Sequence, residues 1–159
     1  STKSGIRIDG NEGFSSADEL KGFLDVLPAE RIEFVEQPLP SSMNREQGLL
    51  KGKYPFPFIA DESLTNESIS PELADCFDAV NIKLMKSGSI LHALEQKKQA
   101  QDLGLKLMLG CMVETSLAIS YGILLGKDVS WFDLDGFLLL EKDPFDLVEE
   151  SNGILRSKV

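Results

Sequence analysis

The 159-residue chain is poor in the residues that mark several protein classes. It has one histidine and only two cysteines, Cys76 and Cys111, which lie in apolar or mixed segments without CxxC spacing. No apolar run reaches the roughly 18 to 20 residues of a membrane span, and the polar N-terminal residues STKSG are not a signal peptide. We therefore predict a soluble cytoplasmic protein with two buried free thiols and without a disulfide framework, a cysteine metal site or a membrane segment.

Positive charge is also scarce. The sequence has 16 lysine and arginine residues against 26 aspartate and glutamate residues, which gives a formal net charge of −10. Such a chain repels a phosphate backbone, and its lysines are scattered instead of forming a stripe, so we predict no nucleic-acid partner. Its hydrophobic content of 42% is enough for the core of one domain.

Three acidic residues directly follow apolar segments that are typical of strands. The segments are 5–8 before Asp9, 32–35 before Glu36, and 56–60 before Asp61. The acids are 27 and 25 residues apart, and one strand, one helix and two loops need roughly 25 to 35 residues. Strands related in this way are parallel neighbours, so their carboxyl ends meet at one rim of the sheet.

Two interpretations of these acids are open. Each could cap the helix that follows it, because carboxylates accept hydrogen bonds from the first backbone N–H groups of a helix. Together, they could bind a metal ion. Oxygen ligands from separate strands, with no histidine or cysteine nearby, favour a hard ion such as Mg²⁺.

The remaining sequence continues the alternation of strands and helices. Further strands are predicted at 79–84, 106–109 and 129–132, and helices at 16–27, 41–50, 71–74, 89–103 and 115–124. In the helix at 89–103, Ile90, Leu91, Leu94 and Leu103 are predicted to face inward. Residues 1–136 are predicted to form one barrel domain, and residues 137–159 a tail with one more short strand.

Six strands that alternate with helices predict an α/β fold with a parallel sheet. A doubly wound sheet would usually carry a glycine-rich phosphate turn after its first strand, whereas the turn here reads IDGNEG. A barrel is therefore favoured. A complete barrel needs eight strands and about 250 residues, so we predict the C-terminal portion of a longer enzyme. Its open edge at the first strand predicts a homo-oligomer.

Four phrases, IDGN, VEQPLP, ADES and NIKLMKSG, occur in this order at the predicted strand ends. With them the chain resembles the enolase superfamily, in its muconate-lactonizing-enzyme subgroup. The resemblance implies a partial (β/α)8 TIM-type barrel of about six βα units, strands three to eight, without the N-terminal capping domain and the first strands. It also implies that Asp9, Glu36 and Asp61 are Mg²⁺ ligands and that Asn11 and Glu62 lie next to them.

The resemblance assigns Lys83 as the general base. An amine at a strand end that faces a divalent cation should have a lowered pKa, and a neutral lysine can take a proton α to a carboxylate. Lys86 is the competing candidate, and we predict that it lies in the loop after the strand. The single histidine, His92, is predicted to occupy a solvated helix position.

The last strand ends in Asp133-Leu134-Asp135, which resembles the acid pair of dipeptide epimerases that receives the substrate ammonium group. Alternation along a strand predicts that both carboxylates lie on one side. The alternative is an ordinary acidic turn. Met112 is predicted to line the substrate pocket, and Glu114 is assigned no chemistry.

The resemblance thus implies Mg²⁺-dependent epimerisation of dipeptides such as L-Ala-D/L-Glu, by removal of the proton α to a carboxylate through an enediolate intermediate. The alternatives are a cycloisomerase or o-succinylbenzoate synthase of the same subgroup, or a non-catalytic fragment. The subgroup uses two lysines on opposite faces of the α-carbon, and no residue before Asp9 matches the partner of Lys83. We therefore expect this chain alone to be impaired.

Overall fold

Six parallel strands in consecutive order form the central sheet of the computed structural model, which describes residues 4–158. The strands are β1 Ile6–Asp9, β2 Ile32–Glu36, β3 Phe58–Ala60, β4 Ala79–Lys83, β5 Lys106–Gly110 and β6 Trp131–Asp133. A doubly wound sheet would reverse its strand order, so the consecutive order excludes that alternative. The sheet curls into a half-barrel, which confirms the predicted α/β partial barrel.

Helices follow the first five strands. They are α1 Ala17–Leu24, α2 Asn44–Gly48, α3 Pro71–Cys76, α4 Leu84–Ser87, α5 Ile90–Asp102 and α6 Ser116–Leu124. The side chains of Ser16, Ser70 and Ser89 accept hydrogen bonds from backbone N–H groups in the first turns of α1, α3 and α5, which explains why these helices begin where they do. Three 3-10 turns lie at Ala29–Arg31, Ser41–Met43 and Gly136–Leu139.

The predicted inner face of α5 is wrong for Leu91 and Leu94, whereas Leu103 packs against the core as predicted. Leu91 and Leu94 are 74% and 45% exposed, whereas Ala93, Gln96 and Ala100 are buried. Small side chains let the helix approach the sheet closely. The Gln96 amide is satisfied there by two loop carbonyls and a serine hydroxyl, so a polar residue takes an interior position that a hydrophobic pattern would not assign to it.

The C-terminal segment forms two strands where one was predicted. β7 Val148–Ser151 and β8 Ile154–Ser157 make an antiparallel hairpin. Its two-residue turn is Asn152-Gly153, both with positive φ, and an Asn-Gly pair between two short strands is a strong hairpin signal that the sequence already carried. Val148 is buried in the main core. The boundary at residue 136 stays a prediction.

Two hydrophobic layers fill the half-barrel. The larger lies between the sheet and the helices, and the smaller lies inside the curl, where Phe34, Ile59, Ala79 and Met108 are packed by Trp131. Inside the curl, the Arg7 guanidinium lies over the ring of Phe34 and donates to the backbone oxygen of Phe132 at 3.1 Å. The interior below the strand ends is therefore packed with side chains.

Within residues 4–158, none of the helices is long and apolar enough to cross a membrane. Both cysteines are free and half-buried.

Candidate active site

Asp9, Glu36 and Asp61, which we call the carboxylate rim, lie at three neighbouring strand ends as predicted. Asp9 and Glu36 are opposite each other in the register of β1 and β2. Asp61 directly follows the last residue of β3, and Ile59, two residues before Asp61, is paired with Glu36. Asp9 is exposed, whereas Glu36 and Asp61 are each only 4% exposed. Two carboxylates are thus buried at the end of a hydrophobic sheet.

Glu36 is the acid whose ionisation the protein opposes most clearly. Burial raises the pKa of its carboxyl to about 7, and the charges of Asp61 and Asp9 act in the same direction. A hydrogen bond from Asn81 Nδ2 to Glu36 Oε1, 2.7 Å long, and the charge of Lys83 oppose the shift in pKa. A cation near this carboxyl would favour its ionised form.

Asp61 is held by two lysines. Lys83 Nζ lies 2.8 Å from Asp61 Oδ2, and Lys86 Nζ lies 2.8 Å from Asp61 Oδ1 and 2.9 Å from the Asp61 backbone oxygen. The prediction that Lys86 lies in a loop is wrong. It is part of the short helix α4, which begins directly after Lys83 without a connecting loop, and this turn brings both ammonium groups to one carboxylate.

The lowered pKa predicted for Lys83 requires a divalent cation opposite the amine, and the protein's own residues act in the other direction. Burial alone lowers the pKa of this amine, but the hydrogen bond to Asp61 and the negative charges of Asp61, Glu36 and Glu62 outweigh it, so the pKa lies above its ordinary value. The prediction assumed a cation opposite Lys83, whereas in this structure the nearest charges are carboxylates.

The carboxylate oxygens of the rim are suitable ligands for a hard cation, but in this structure they are not grouped around one point. In the part of the chain that the structure describes, no three side chains of histidine, cysteine, aspartate or glutamate are grouped so that they could hold a metal ion. The rim offers only carboxylate oxygens, the ligands that Mg²⁺ prefers. To bind the ion, Asp61 would have to release Lys83. A divalent ion would also offset the charges of Asp61 and Asp9, which add to the effect of burial on the Glu36 pKa.

Asn11 and Glu62, the residues predicted to lie next to the metal ligands, are beside the rim. The backbone N–H of Asn11 donates to Asp9 Oδ1 at 3.0 Å, and Asn11 has a positive φ of 43°. Glu62 is half-buried, and its Oε2 atom has no hydrogen-bond partner among residues 4–158. Burial and the charge of Asp61 raise the pKa of Glu62.

Gln37 is a structural residue of the rim that the sequence analysis missed. Its fully buried side-chain oxygen accepts from the N–H groups of Asp61 and Ser63 at 3.0 and 3.1 Å. Its Nε2 atom donates to the backbone oxygen of Leu39 and to Ser63 Oγ, both at 2.9 Å. One amide therefore ties the end of β2 to the segment that carries Asp61. Asp61 and Ser63 lie 24 and 26 residues from Gln37, and no local pattern indicates these contacts.

Asp133 and Asp135, which we call the acid pair, lie at the end of β6. Asp133 is opposite Gly110 of β5, and Asp135 lies beyond the strand, at the start of a 3-10 turn. Both are exposed while Leu134 between them is buried, so the predicted alternation holds past the strand. Burial and the charge of Asp135 raise the pKa of Asp133. Both acids line a cavity of about 570 Å³.

Met112 and Glu114 lie on the segment after β5. Met112 is exposed, whereas Glu114 is buried, and its Oε1 atom accepts from the backbone N–H of Met112 at 3.4 Å. Glu114 therefore contacts the turn on which Met112 is exposed. His92 is half-buried, and its Nδ1 atom lies 3.1 Å from the backbone oxygen of Ser87, which differs from the solvated position predicted for it.

A parallel (β/α) half-barrel with acids and a lysine at the C-terminal ends of its strands has the architecture of the α/β-barrel enzymes, whose active sites lie at that face. The sequence profile of the family described as "Enolase C-terminal domain-like" matches residues 2–134. The chain belongs to this family, which confirms the resemblance to the enolase superfamily.

Relatives of known name agree with the narrower resemblance. The chain is 36% identical over 152 residues to an L-Ala-D/L-amino acid epimerase of Pedosphaera parvula, covering 94% of this chain and 44% of that protein. A crystal structure from Agrobacterium tumefaciens, an enolase family member with homology to dipeptide epimerases and with bound sodium and L-Ala-L-Glu, is 36% identical with a TM-score of 0.81, covering 95% of this chain and 45% of that one.

A third similar structure contains magnesium. It is a dipeptide epimerase from Methylococcus capsulatus complexed with Mg and L-Arg-D-Lys, 28% identical with a TM-score of 0.82, and the match covers 96% of this chain and 45% of that one. The chain therefore spans less than half the length of the relatives that it matches.

Proposed function

We propose that this chain carries the metal site and one catalytic base of a Mg²⁺-dependent dipeptide epimerase that acts on substrates of the L-Ala-D/L-Glu type. The observation that carries the proposal is the contact of 2.8 Å between Lys83 and Asp61. It brings an amine to the carboxylate rim, at the barrel face where α/β-barrel enzymes act. The names of the similar epimerases support the substrate class.

Asp9, Glu36 and Asp61 would hold the ion. When bound, Mg²⁺ would supply positive charge that favours loss of the proton on the carbon α to the substrate carboxylate. Gln37 and Asn81 hold two of the carboxylates in place: Gln37 through the Asp61 backbone N–H, and Asn81 through Glu36 Oε1. Buried amides thus hold Glu36 and Asp61, while the exposed Asp9 would supply the third ligand from the end of β1.

Lys83 would remove the α-proton from one face of the substrate. It is paired with Asp61 in this structure, so it acts as a base only after that ion pair opens and the ammonium group loses its proton. Lys86 binds both the carboxylate and the backbone oxygen of Asp61, and it can keep Asp61 in place when Lys83 leaves. These contacts give the two lysines different roles.

The acid pair would receive the ammonium group of the dipeptide. Two exposed carboxylates separated by one buried residue can converge on one cation with charge-assisted hydrogen bonds. Met112, exposed on the segment after the neighbouring strand β5, would contact the same substrate. We also propose that the protein is a cytoplasmic homo-oligomer.

Exchange of the α-proton in D₂O tests this function. With Mg²⁺ and L-Ala-L-Glu, the chain should introduce deuterium into the starting epimer without forming the other, because it has a base on one face only. Lys83→Ala should reduce the exchange rate by about 100-fold or more, and Lys98→Ala, which removes an exposed lysine of α5, should leave it unchanged. Proton NMR of the α-position provides the rates.

Equal exchange by the parent and by Lys83→Ala would contradict the assignment of the base, as would no exchange by the parent in saturating Mg²⁺. Rapid formation of the second epimer by the chain alone would show that another group delivers a proton from the opposite face. Lys86 is the nearest candidate for that group.

A further inference from the structure

Asn81 is a buried amide that contacts the rim from the middle of β4. Its side chain is 1% exposed, and its Nδ2 atom donates to Glu36 Oε1 at 2.7 Å, across 45 residues of sequence. The other side-chain atom, Oδ1, has no hydrogen-bond partner among residues 4–158. Asn81 precedes Lys83 by two residues, so both side chains project from the same face of the strand.

The amide of Asn81 lies against the backbone of Gly110, the last residue of β5. A Cβ atom added to Gly110 would be 2.6 Å from Asn81 Oδ1, 2.7 Å from Nδ2 and 3.0 Å from Cγ. Gly110 does not have the positive φ that would itself require glycine. The neighbouring amide is therefore what excludes a side chain at this position.

We propose that Asn81 is a positioning residue that presents Glu36 to the metal ion, and that residue 110 is glycine so that the Asn81 amide can occupy this place. The inference rests on the proposed function, since it assigns a role toward the ion of that site. Nothing in the sequence alone indicates this pair.

The physical reason lies in the isolation of Glu36. Its carboxyl is almost fully buried, and the bond from Asn81 is the side-chain hydrogen bond that the structure gives it. With Oε1 held, Oε2 is the oxygen that remains for a cation, in a fixed orientation. Loss of a group that orients a metal ligand typically weakens metal binding by roughly 10- to 100-fold.

The test is the dissociation constant of Mg²⁺, measured by isothermal titration calorimetry on the 159-residue chain and five variants. Asn81→Leu removes the donor at nearly constant volume, and Gly110→Ala leaves Asn81 intact but displaces its amide. Asn81→Ala removes the amide and leaves space, and the double variant Asn81→Ala/Gly110→Ala then adds the methyl group at residue 110. Gln47→Leu is the control, because Gln47 is an equally buried amide without a hydrogen-bond partner among the described residues.

We expect Asn81→Leu and Gly110→Ala each to weaken Mg²⁺ binding by about 10-fold or more, and Gln47→Leu to bind like the parent. The double variant should bind no more weakly than Asn81→Ala alone, because the methyl group then meets no amide. That lack of additivity distinguishes positioning from general destabilisation, which would make the two losses add.

Parent-like affinity in both single variants, or additive losses in the double variant, would overturn the inference while leaving the metal site intact. If the parent itself does not bind Mg²⁺, the proposed function fails instead.

If a substitution prevents folding, an NMR measurement on the parent chain tests the inference. The Asn81 side-chain NH₂ signal should shift on addition of Mg²⁺ and exchange slowly with solvent, and a rapidly exchanging, unshifted signal would overturn the inference.

Discussion

The carboxylate rim and the acid pair are both acidic and both lie at strand ends, but the protein treats them differently. Glu36 and Asp61 are buried and held by Asn81, Lys83 and Lys86. The acid pair is exposed at the end of the sheet. Two of the three rim carboxylates are therefore held by protein partners before any ligand binds, whereas the acid pair stays in contact with solvent. Substitutions in the first region should change stability and metal binding, and substitutions in the second should change substrate binding.

The largest effect on stability should come from the amide beneath the rim. Gln37→Leu would leave the N–H groups of Asp61 and Ser63 and the backbone oxygen of Leu39 buried without their partner. We expect a loss of about 3 to 4 kcal/mol in the free energy of unfolding, measured by urea denaturation. Gln47→Leu, at an equally buried amide, should cost little, and equal losses in the two variants would show that the Gln37 network has no special weight.

The pH dependence of stability should carry the signature of Glu36. Its pKa of about 7 in the folded chain exceeds the ordinary value of 4.5, so the folded state binds more protons between these values. Stability of the Mg²⁺-free chain should therefore fall as the pH rises from about 4.5 to 7, by up to about 3 kcal/mol. Glu36→Gln should remove this part of the pH dependence, and an identical profile in the variant would contradict the assignment.

Substitution of the acid pair should have little effect on stability and a large effect on substrate turnover. Asp133→Asn/Asp135→Asn should change the free energy of unfolding by no more than about 0.5 kcal/mol, because both side chains are exposed. The same change should abolish α-proton exchange on a dipeptide. If dipeptide exchange survives, the pair is an ordinary acidic turn, and survival of a 2-succinylbenzoate-forming activity in the variant would favour the o-succinylbenzoate synthase assignment.

Local patterns in the sequence predict the rim well and its supports poorly. Pro38 and the apolar segments place Glu36 at a strand end, and the same pattern identifies Asp9 and Asp61. The bond from Asn81 to Glu36 joins residues 45 apart, so it depends on the register of strands that the sequence does not specify. The inner face of α5 was misassigned for a related reason, since the partners of Gln96 come from a distant loop.

Two other differences are local and could have been predicted. The Asn152-Gly153 pair indicates a hairpin, and Lys86 is three positions after Lys83, which is close to one helical turn. The pKa of Lys83 could not be predicted from the residues alone, because its sign depends on whether a cation or only carboxylates surround the amine.

Binding of Mg²⁺ to the parent chain and to Glu36→Gln, measured by isothermal titration calorimetry at pH 8, tests the central claim most directly. The account predicts one Mg²⁺ site in the parent and an affinity weaker by about 100-fold in the variant, because a buried ligand loses its charge. Asp133→Asn, at the acid pair, should bind like the parent. Equal affinity of the parent and Glu36→Gln for Mg²⁺ would show that the carboxylate rim is not the metal site.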